Sequence, residues 1–268
     1  MDLKTLSDLP PWDWPENASE VIIKTFEDEG APESDSLLAA ELAGNLCVMS
    51  DKLSAALLDV ISAPNRPDAV RGAAAISLGP ALEEADIDGF DDEDSAISES
   101  SFKKVQQTFH QVFVNAQTPK FVRHRILEAS VRSPQSWHAG AVRAAYADPD
   151  EEWKLTAVFC MQYIKGFDAE ILQALRSRNA DIKHHAICAA GNWEIRKAWP
   201  IVSRLLEDGA ADKNDLIAAI EAAASINPDK AADLICHHLD SDDEDIAEAA
   251  MDALSMVEGF ADDEDDEK

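Results

Sequence analysis

Aromatic residues are scarce in this chain, with two Tyr, six Trp and nine Phe among 268 residues. Alternating runs of β-branched and polar residues are also few, which argues against strands. No apolar run approaches the length of a membrane span, so a membrane protein of that kind is not expected. The opening Met-Asp-Leu-Lys-Thr-Leu-Ser-Asp-Leu-Pro has neither a basic region nor an apolar core, and no secretory signal is expected from it. Cys47, Cys160, Cys188 and Cys236 lie far apart and form no Cys-x-x-Cys pair. They read as small buried side chains in a reducing cytoplasm, not as a disulfide framework. None of the ten glycines belongs to Gly-x-Gly-x-x-Gly, a phosphate loop or Gly-x-Ser-x-Gly, so no nucleotide cofactor and no serine-hydrolase elbow is indicated.

Basic residues are outnumbered, 23 against 53 acids, for a net charge of −30. A balance of that sign usually argues against nucleic acid. The distribution is uneven. Residues 103–204 carry 15 bases and 9 acids, whereas the flanks hold 8 bases and 44 acids. A mildly basic middle therefore lies between acidic ends.

What the chain has in quantity is Ala and Leu at helical spacing. In Asn179–Gly191, Ile182, Ala186, Ile187 and Ala190 share one stripe. Asp181 is the expected N-cap, and Gly191 can end the helix in a left-handed turn. Variants of this unit recur, anchored at Leu38, Val70, Val122, Trp153, Ile182, Leu216 and Ile246, at intervals of 32, 52, 31, 29, 34 and 30. The fourth and eighth residues after each anchor are apolar at thirteen of fourteen positions, with Ser130 the exception. Second helices are predicted between them at 51–61, 98–115, 136–147, 168–175, 198–206 and 228–239. Polar turns such as Asp148-Pro149-Asp150 and Asn227-Pro228-Asp229 join the elements. Each helical hairpin has two apolar faces and must stack on its neighbours to bury both.

The segment Asp68-Ala-Val-Arg71-Gly-Ala-Ala-Ala-Ile-Ser-Leu-Gly79 is close to the form Asp-x-x-Val-Arg-x-x-Ala-x-x-Ala-Leu-Gly, and Phe121-Val-Arg123, Trp153-Lys154-Leu-Thr-Ala157 and Ile182-Lys183-His-His-Ala186 are similar. In these the chain resembles HEAT-like repeat proteins. The resemblance implies an all-α, right-handed solenoid of about seven hairpins over 34–259, used as a binding surface; the family holds scaffolds and some enzymes. Residues 1–33 are then a cap, in which Trp12 and Trp14 of the stiff Pro10-Pro11-Trp12-Asp13-Trp14-Pro15 cover the open end of the core, and Asn17 starts a short helix. The long interval hides an acidic insertion at 83–100 in the second repeat, expected as a mobile loop. The acidic tail, 260–268, is expected to be disordered.

Chemistry is harder to find. Glu84-x-Asp86-x-Asp88-Gly89 opens like a calcium loop, but Asp91 and Ser95 stand where an apolar residue and a bidentate Glu belong. His184 and Cys188 are four apart, as two metal ligands would be, with no further ligand near in sequence. HEAT-like hydroxylases place His-Glu dyads in several repeats, and this chain has no His-Glu. No catalytic residue, metal or cofactor is assigned. The candidate site residues are Lys103, Lys104, Arg143, Arg176, Arg178 and Arg204, placed on the second helices that line the concave side in such solenoids, with Trp137, Trp193 and Trp199 flanking them. Lys154, Lys183, Arg71 and Arg123 fall on the anchored helices, where a ladder of ion pairs between repeats is the simpler reading. The expected function is a cytoplasmic, non-catalytic scaffold that binds a segment of another protein on its concave surface. The alternative is an enzyme or nucleic-acid binder using the basic middle on an anionic ligand, as HEAT-like bilin lyases and DNA glycosylases would imply by fold analogy. Partner identity and oligomeric state are open.

Overall fold

The computed structural model describes residues 2–28, 30–90, 95–208 and 212–266, with side chains as far as Val257. Among them there is no strand, and no helix is long and apolar enough to cross a membrane. The chain divides into two compact units, residues 1–138 and 139–268.

In the first unit, α1 (Leu3–Ser7) and α2 (Ala18–Glu27) precede α3 (Glu33–Ala43), α4 (Asp51–Ser62), α5 (Asp68–Ser77), α6 (Gly79–Asp88), α7 (Glu99–Val114) and α8 (Lys120–Ser130). The anchored helices α3, α5 and α8 pack in one row, while α2, α4 and α7 pack in a second row against it. Local signals set the starts. Ser50 accepts from the Leu53 N–H and Ser98 from the Ser101 N–H, while Pro32, Pro67 and Pro119 precede α3, α5 and α8 with extended backbone. Helix α7 is mostly polar, so packing rather than composition holds it. Phe102, Val105 and Phe109 are buried, each worth about 1.5–3 kcal/mol of burial.

The second unit holds α9 (His138–Ala147) apart from its first residue, which belongs to the first unit, and α10 (Glu151–Cys160), α11 (Asp168–Ala174), α12 (Ala180–Asn192), α13 (Trp199–Glu207), α14 (Lys213–Ile226), α15 (Pro228–Ile235) and α16 (Glu244–Asp266). Here α10, α12, α14 and α16 form the anchored row. On the other side α13 packs on α15, and the Tyr146 hydroxyl of α9 donates to the Glu170 carbonyl of α11 at 3.2 Å. Both units are thus stacks of the helical hairpins that the periodicity predicts, in HEAT-like fashion.

Val70, Val122, Trp153 and Ile182, with their fourth and eighth successors, are all buried. The register loosens elsewhere. Leu38 is half-buried and Leu46 exposed, because α3 ends at Ala43 and turns Ser36, Ala39, Ala40 and Ala43 inward instead. Leu216, Ile246 and Leu254 are half-buried; for α16, a neighbour in the anchored row covers only the side facing α14.

Several expectations are corrected. The insertion at 83–100 is not a loop throughout: Glu83–Asp88 complete α6, which buries Ala81, Leu82 and Ala85, and Glu99 begins α7. Glu83 pairs with Arg132, Glu84 accepts from the Ala96 N–H at 3.3 Å, and Asp86 accepts from Ser133 at 2.9 Å. Those carboxylates are bound to protein groups and do not converge as calcium ligands. Asp91–Asp94 lie outside the described residues. At the N-terminus only Trp14 acts as a cover, its indole N–H donating to the Leu6 and Leu9 carbonyls at 2.9 and 3.0 Å, whereas Trp12 is 83% exposed. The backbone of α16 is helical through 260–266, most of the segment expected as a disordered tail, and 267–268 lie outside the described residues.

The N-cap of α12 is Asn179, accepting from the Ile182 N–H at 3.2 Å, and not Asp181. Gly191 does not end that helix. The left-handed residue is Glu194 (φ 49°), and the Ile195 and Glu194 N–H groups bond back to the Ala190 and Gly191 carbonyls at 2.9 and 3.0 Å. Gly191 is needed for a different reason: a Cβ there would lie 2.8 Å from Ala222 Cα. Helix α12 therefore meets α14 nearly backbone to backbone. Gly191→Ala should cost about 1–3 kcal/mol by overpacking. Gly140→Ala in α9, where a Cβ meets nothing within 4 Å, should instead add about 0.5–1 kcal/mol. Urea unfolding of the two variants should show midpoints moving in opposite directions, and a shared direction would contradict the contact.

Candidate functional site

In the first unit the turn from α8 to α9 carries the most organised polar cluster. Trp137 is half-buried and fixed on several sides. Its indole N–H donates to Gln135 Oε1 at 2.8 Å, His110 of α7 stacks on it (centroids 5.0 Å, 27°), and Phe113 lies 5.0 Å away. His138 packs beneath at 3.8 Å between centroids. Lys103, Gln106, Gln107 and His110 share one face of α7, at helical spacing, and with Gln135 and Trp137 they border a shallow cavity of about 330 Å³. Gln106 is held by donating to Ser133 at 2.8 Å, and Ser133 in turn donates to Asp86. The surface is a pre-arranged aromatic shelf with amide groups and one cation, Lys103, along its edge. Lys103 is exposed and pairs with Glu99; Lys104 is exposed beside it.

His138 supports the shelf from inside. It is fully buried, and the Gln135 N–H donates to Nδ1 at 2.7 Å. Nδ1 must then be unprotonated, so Nε2 carries the proton and donates to Ser130 Oγ at 2.9 Å, while that hydroxyl donates to the Leu127 carbonyl at 3.4 Å. Burial lowers the His138 pKa from 6.5 to about 4.

The second unit contains the remaining predicted residues, and all four arginines are exposed. Arg143 lies on α9, its guanidinium 4.8 Å from the Phe167 ring. Arg204 is on α13. Arg176 and Arg178 are not on a second helix as expected: α11 ends at Ala174, which places both in the turn before α12. Trp193 is half-buried at the end of α12, donating to the Met161 carbonyl at 2.6 Å with Lys165 5.1 Å from its ring. Trp199 is the half-buried first residue of α13. Of the nine candidates, Lys103 and Trp137 share one cavity. Gln106, Gln107, His110 and Gln135 were missed, although the three-and-four spacing from Lys103 to His110 is visible in the sequence.

Lys183 makes the expected rung between repeats, 2.5 Å from buried Asp215 on α14. The same Asp215 stands 3.5 Å from His184 Nδ1, and His184 Nε2 is 3.9 Å from Cys188 Sγ. Cysteine, histidine and aspartate are thus in the order of a nucleophilic triad. The electrostatics oppose that use. Burial, then the neighbouring Glu221 charge, push the Cys188 thiol up to about 11, away from the thiolate that attack requires. The expectation that all four cysteines are buried also fails, since Cys47 and Cys236 are exposed. Among the described residues no group of three or more His, Cys, Asp or Glu is arranged to hold a metal ion.

In each unit, short helices packed in rows with small residues between them define an α-helical repeat architecture. Residues 168–255 match the family model for HEAT repeats, so that stretch of the second unit is HEAT-like. No curated protein sequence matches it. Among solved structures, the Escherichia coli protein YibA is similar at 15% identity over 91% of this chain and 84% of that one, with a TM-score of 0.50. Human deoxyhypusine hydroxylase in complex with glycerol aligns at 18% identity over 96% and 88%, with a TM-score of 0.41, and a designed armadillo repeat protein at 14% over 75% and 98%, with a TM-score of 0.45. Of these, the likeness to YibA speaks to the fold alone.

Two measurements check the site chemistry. A histidine whose folded pKa is depressed contributes stability that is present above its unfolded pKa and is lost as pH falls towards the folded one. Between pH 7 and 4.5 the His138 contribution should fall by about 2–3 kcal/mol. His138→Gln, less stable at pH 7, should lose less over that range in urea titrations; an equal loss in both proteins would refute the assignment. In native protein at pH 8, iodoacetamide should label Cys188 on the order of a hundredfold more slowly than an ordinary exposed thiol. Mass spectrometry of tryptic peptides would show Cys236 modified first. Preferential labelling of Cys188 would restore the triad reading.

Proposed function

We propose that this chain is a non-catalytic interaction module that docks a segment of another protein, and that the Trp137 shelf is a seat for it. One observation carries this reading: a half-exposed Trp is held rigid by a hydrogen bond and stacking rings in a cavity shared with exposed Lys103, next to which in the chain Lys104 is also exposed. Rigid aromatic anchors lose little entropy on binding, and Trp is among the residues that dominate interface energies. The adjoining lysines favour a segment bearing carboxylates next to an apolar side chain. The fixed Trp137 ring supports a scaffold that recognises a peptide-like ligand. Cytoplasmic residence is part of the same proposal.

Selection of a random peptide library on the immobilised full chain should enrich acidic sequences containing an apolar or aromatic residue. Trp137→Ala should weaken the selected peptides by about 2 kcal/mol or more, roughly thirtyfold in Kd. Lys103→Glu with Lys104→Glu, both exposed and outside the core, should weaken them with no change in melting temperature. Peptides that bind all three proteins equally would end this reading. Steep weakening by salt together with tight binding of single-stranded DNA would favour a nucleic-acid ligand instead.

A further inference from the structure

A second surface, of opposite charge, lies in the other unit. Helices α12, α14 and α16 enclose a groove of about 400 Å³. Small residues line it, Ala222 of α14 and Ala249 and Ala253 of α16, and at Ala222 the close approach of α12 at Gly191 leaves no room for a larger side chain. Glu221 and Asp252 stand at its sides and Met256, 49% exposed, at its rim.

The groove is short of positive charge. Residues 205–268 contain 21 acids and three lysines. Of these, Lys213 is committed to Asp243 and Asp245 at 2.7 and 2.6 Å, and Lys268 lies outside the described residues; Lys183 of α12 is committed to Asp215. Lys230 is on α15, which contributes no residue to the groove. Glu221 responds to this setting: burial and the Asp252 charge raise its pKa, with His184 acting in the opposite direction. Two carboxylates and a mobile, polarisable methionine around a gap that long side chains could fill constitute a surface complementary to a cation on an apolar stem. A second copy of this chain is a poor occupant, since α16 would bring Glu244, Asp245, Glu248 and Asp252 against themselves.

We propose that the groove between α12, α14 and α16 seats a lysine or arginine side chain from a basic amphipathic segment of a protein partner, with Met256 at the rim meeting its apolar face. The cation lies between the Glu221 and Asp252 carboxylates, and its methylene stem covers the lining alanines. This surface stands independently of the Trp137 shelf and selects the opposite charge.

The probe is a fluorescein-labelled amphipathic helix of lysine and leucine, titrated onto the full chain by anisotropy at physiological ionic strength. Glu221→Gln with Asp252→Asn removes two mutually repelling charges from partly exposed positions, so this variant should melt no lower than the parent. Its Kd for the peptide should nonetheless rise about tenfold or more. Asp229→Asn with Asp233→Asn on α15 changes the net charge equally and should alter Kd by roughly twofold or less. Met256→Ser should weaken the peptide without changing the charge. Equal weakening by the two charge pairs would mean that the general field of an acidic protein attracts the peptide, and would overturn the proposal. No binding by the parent, or no effect of either pair, would also overturn it.

Discussion

The structure depends on how closely consecutive anchored helices approach. Ala74, Ala157, Ala186 and Ala250 are all fully buried at equivalent positions of their repeats. At Gly191 even a methyl group would intrude on Ala222. Small side chains let helices approach to distances at which many weak dispersion contacts act together. The same smallness limits what each helix can bury by itself, so a hairpin is stable only in its row. Stacking is therefore a consequence of side-chain size as much as of apolar pattern.

This constraint explains which parts of the molecule were legible from the sequence. The anchored row was legible because a helix covered on both sides must repeat its apolar residues every three or four positions, as Val70–Ala74–Leu78 and Ile182–Ala186–Ala190 do. Helix ends were less so. Asp181 and Asn179 are both good caps, and only the backbone decides between them; Gly191 suits a left-handed turn, yet the tight contact with α14 claimed it. Helix α6 was misread for a related reason. Its Glu83, Glu84, Asp86 and Asp88 suggested a solvated loop, but Ala81, Leu82 and Ala85 lie on one side and bury it, while Arg132, Ser133 and the Ala96 N–H take three of the acids. Those partners are distant in sequence, and composition alone does not show them.

The same distinction applies to the site. Trp137 and Lys103 could be named from the chain, since a basic middle with aromatic residues suits recognition. What makes Trp137 useful was not visible. Gln135 fixes its indole, His110 arrives from a helix 27 residues earlier, and His138 is locked by two hydrogen bonds whose partners are Gln135 and Ser130. A rigid aromatic is a property of such a network, not of a residue type. The Cys188–His184–Asp215 line shows the converse. Residue types and order resemble a triad, yet burial and the Glu221 charge hold the thiol protonated.

Charge then differentiates units that packing makes alike. Acids are needed at few places in the stack itself: Asp215 holds Lys183, and Asp243 and Asp245 hold Lys213. The Lys213 pairs are exposed and contribute little, so stability does not explain 21 acids after residue 204. Nor does it explain a cationic edge beside Trp137. Side chains on the outer faces are free of the size constraint that governs the anchored row, and charge placed there affects association more than folding. A repeat stack can therefore carry surfaces of opposite sign at separate places without altering its core, and here the basic residues accompany a fixed aromatic while the acidic ones surround a gap.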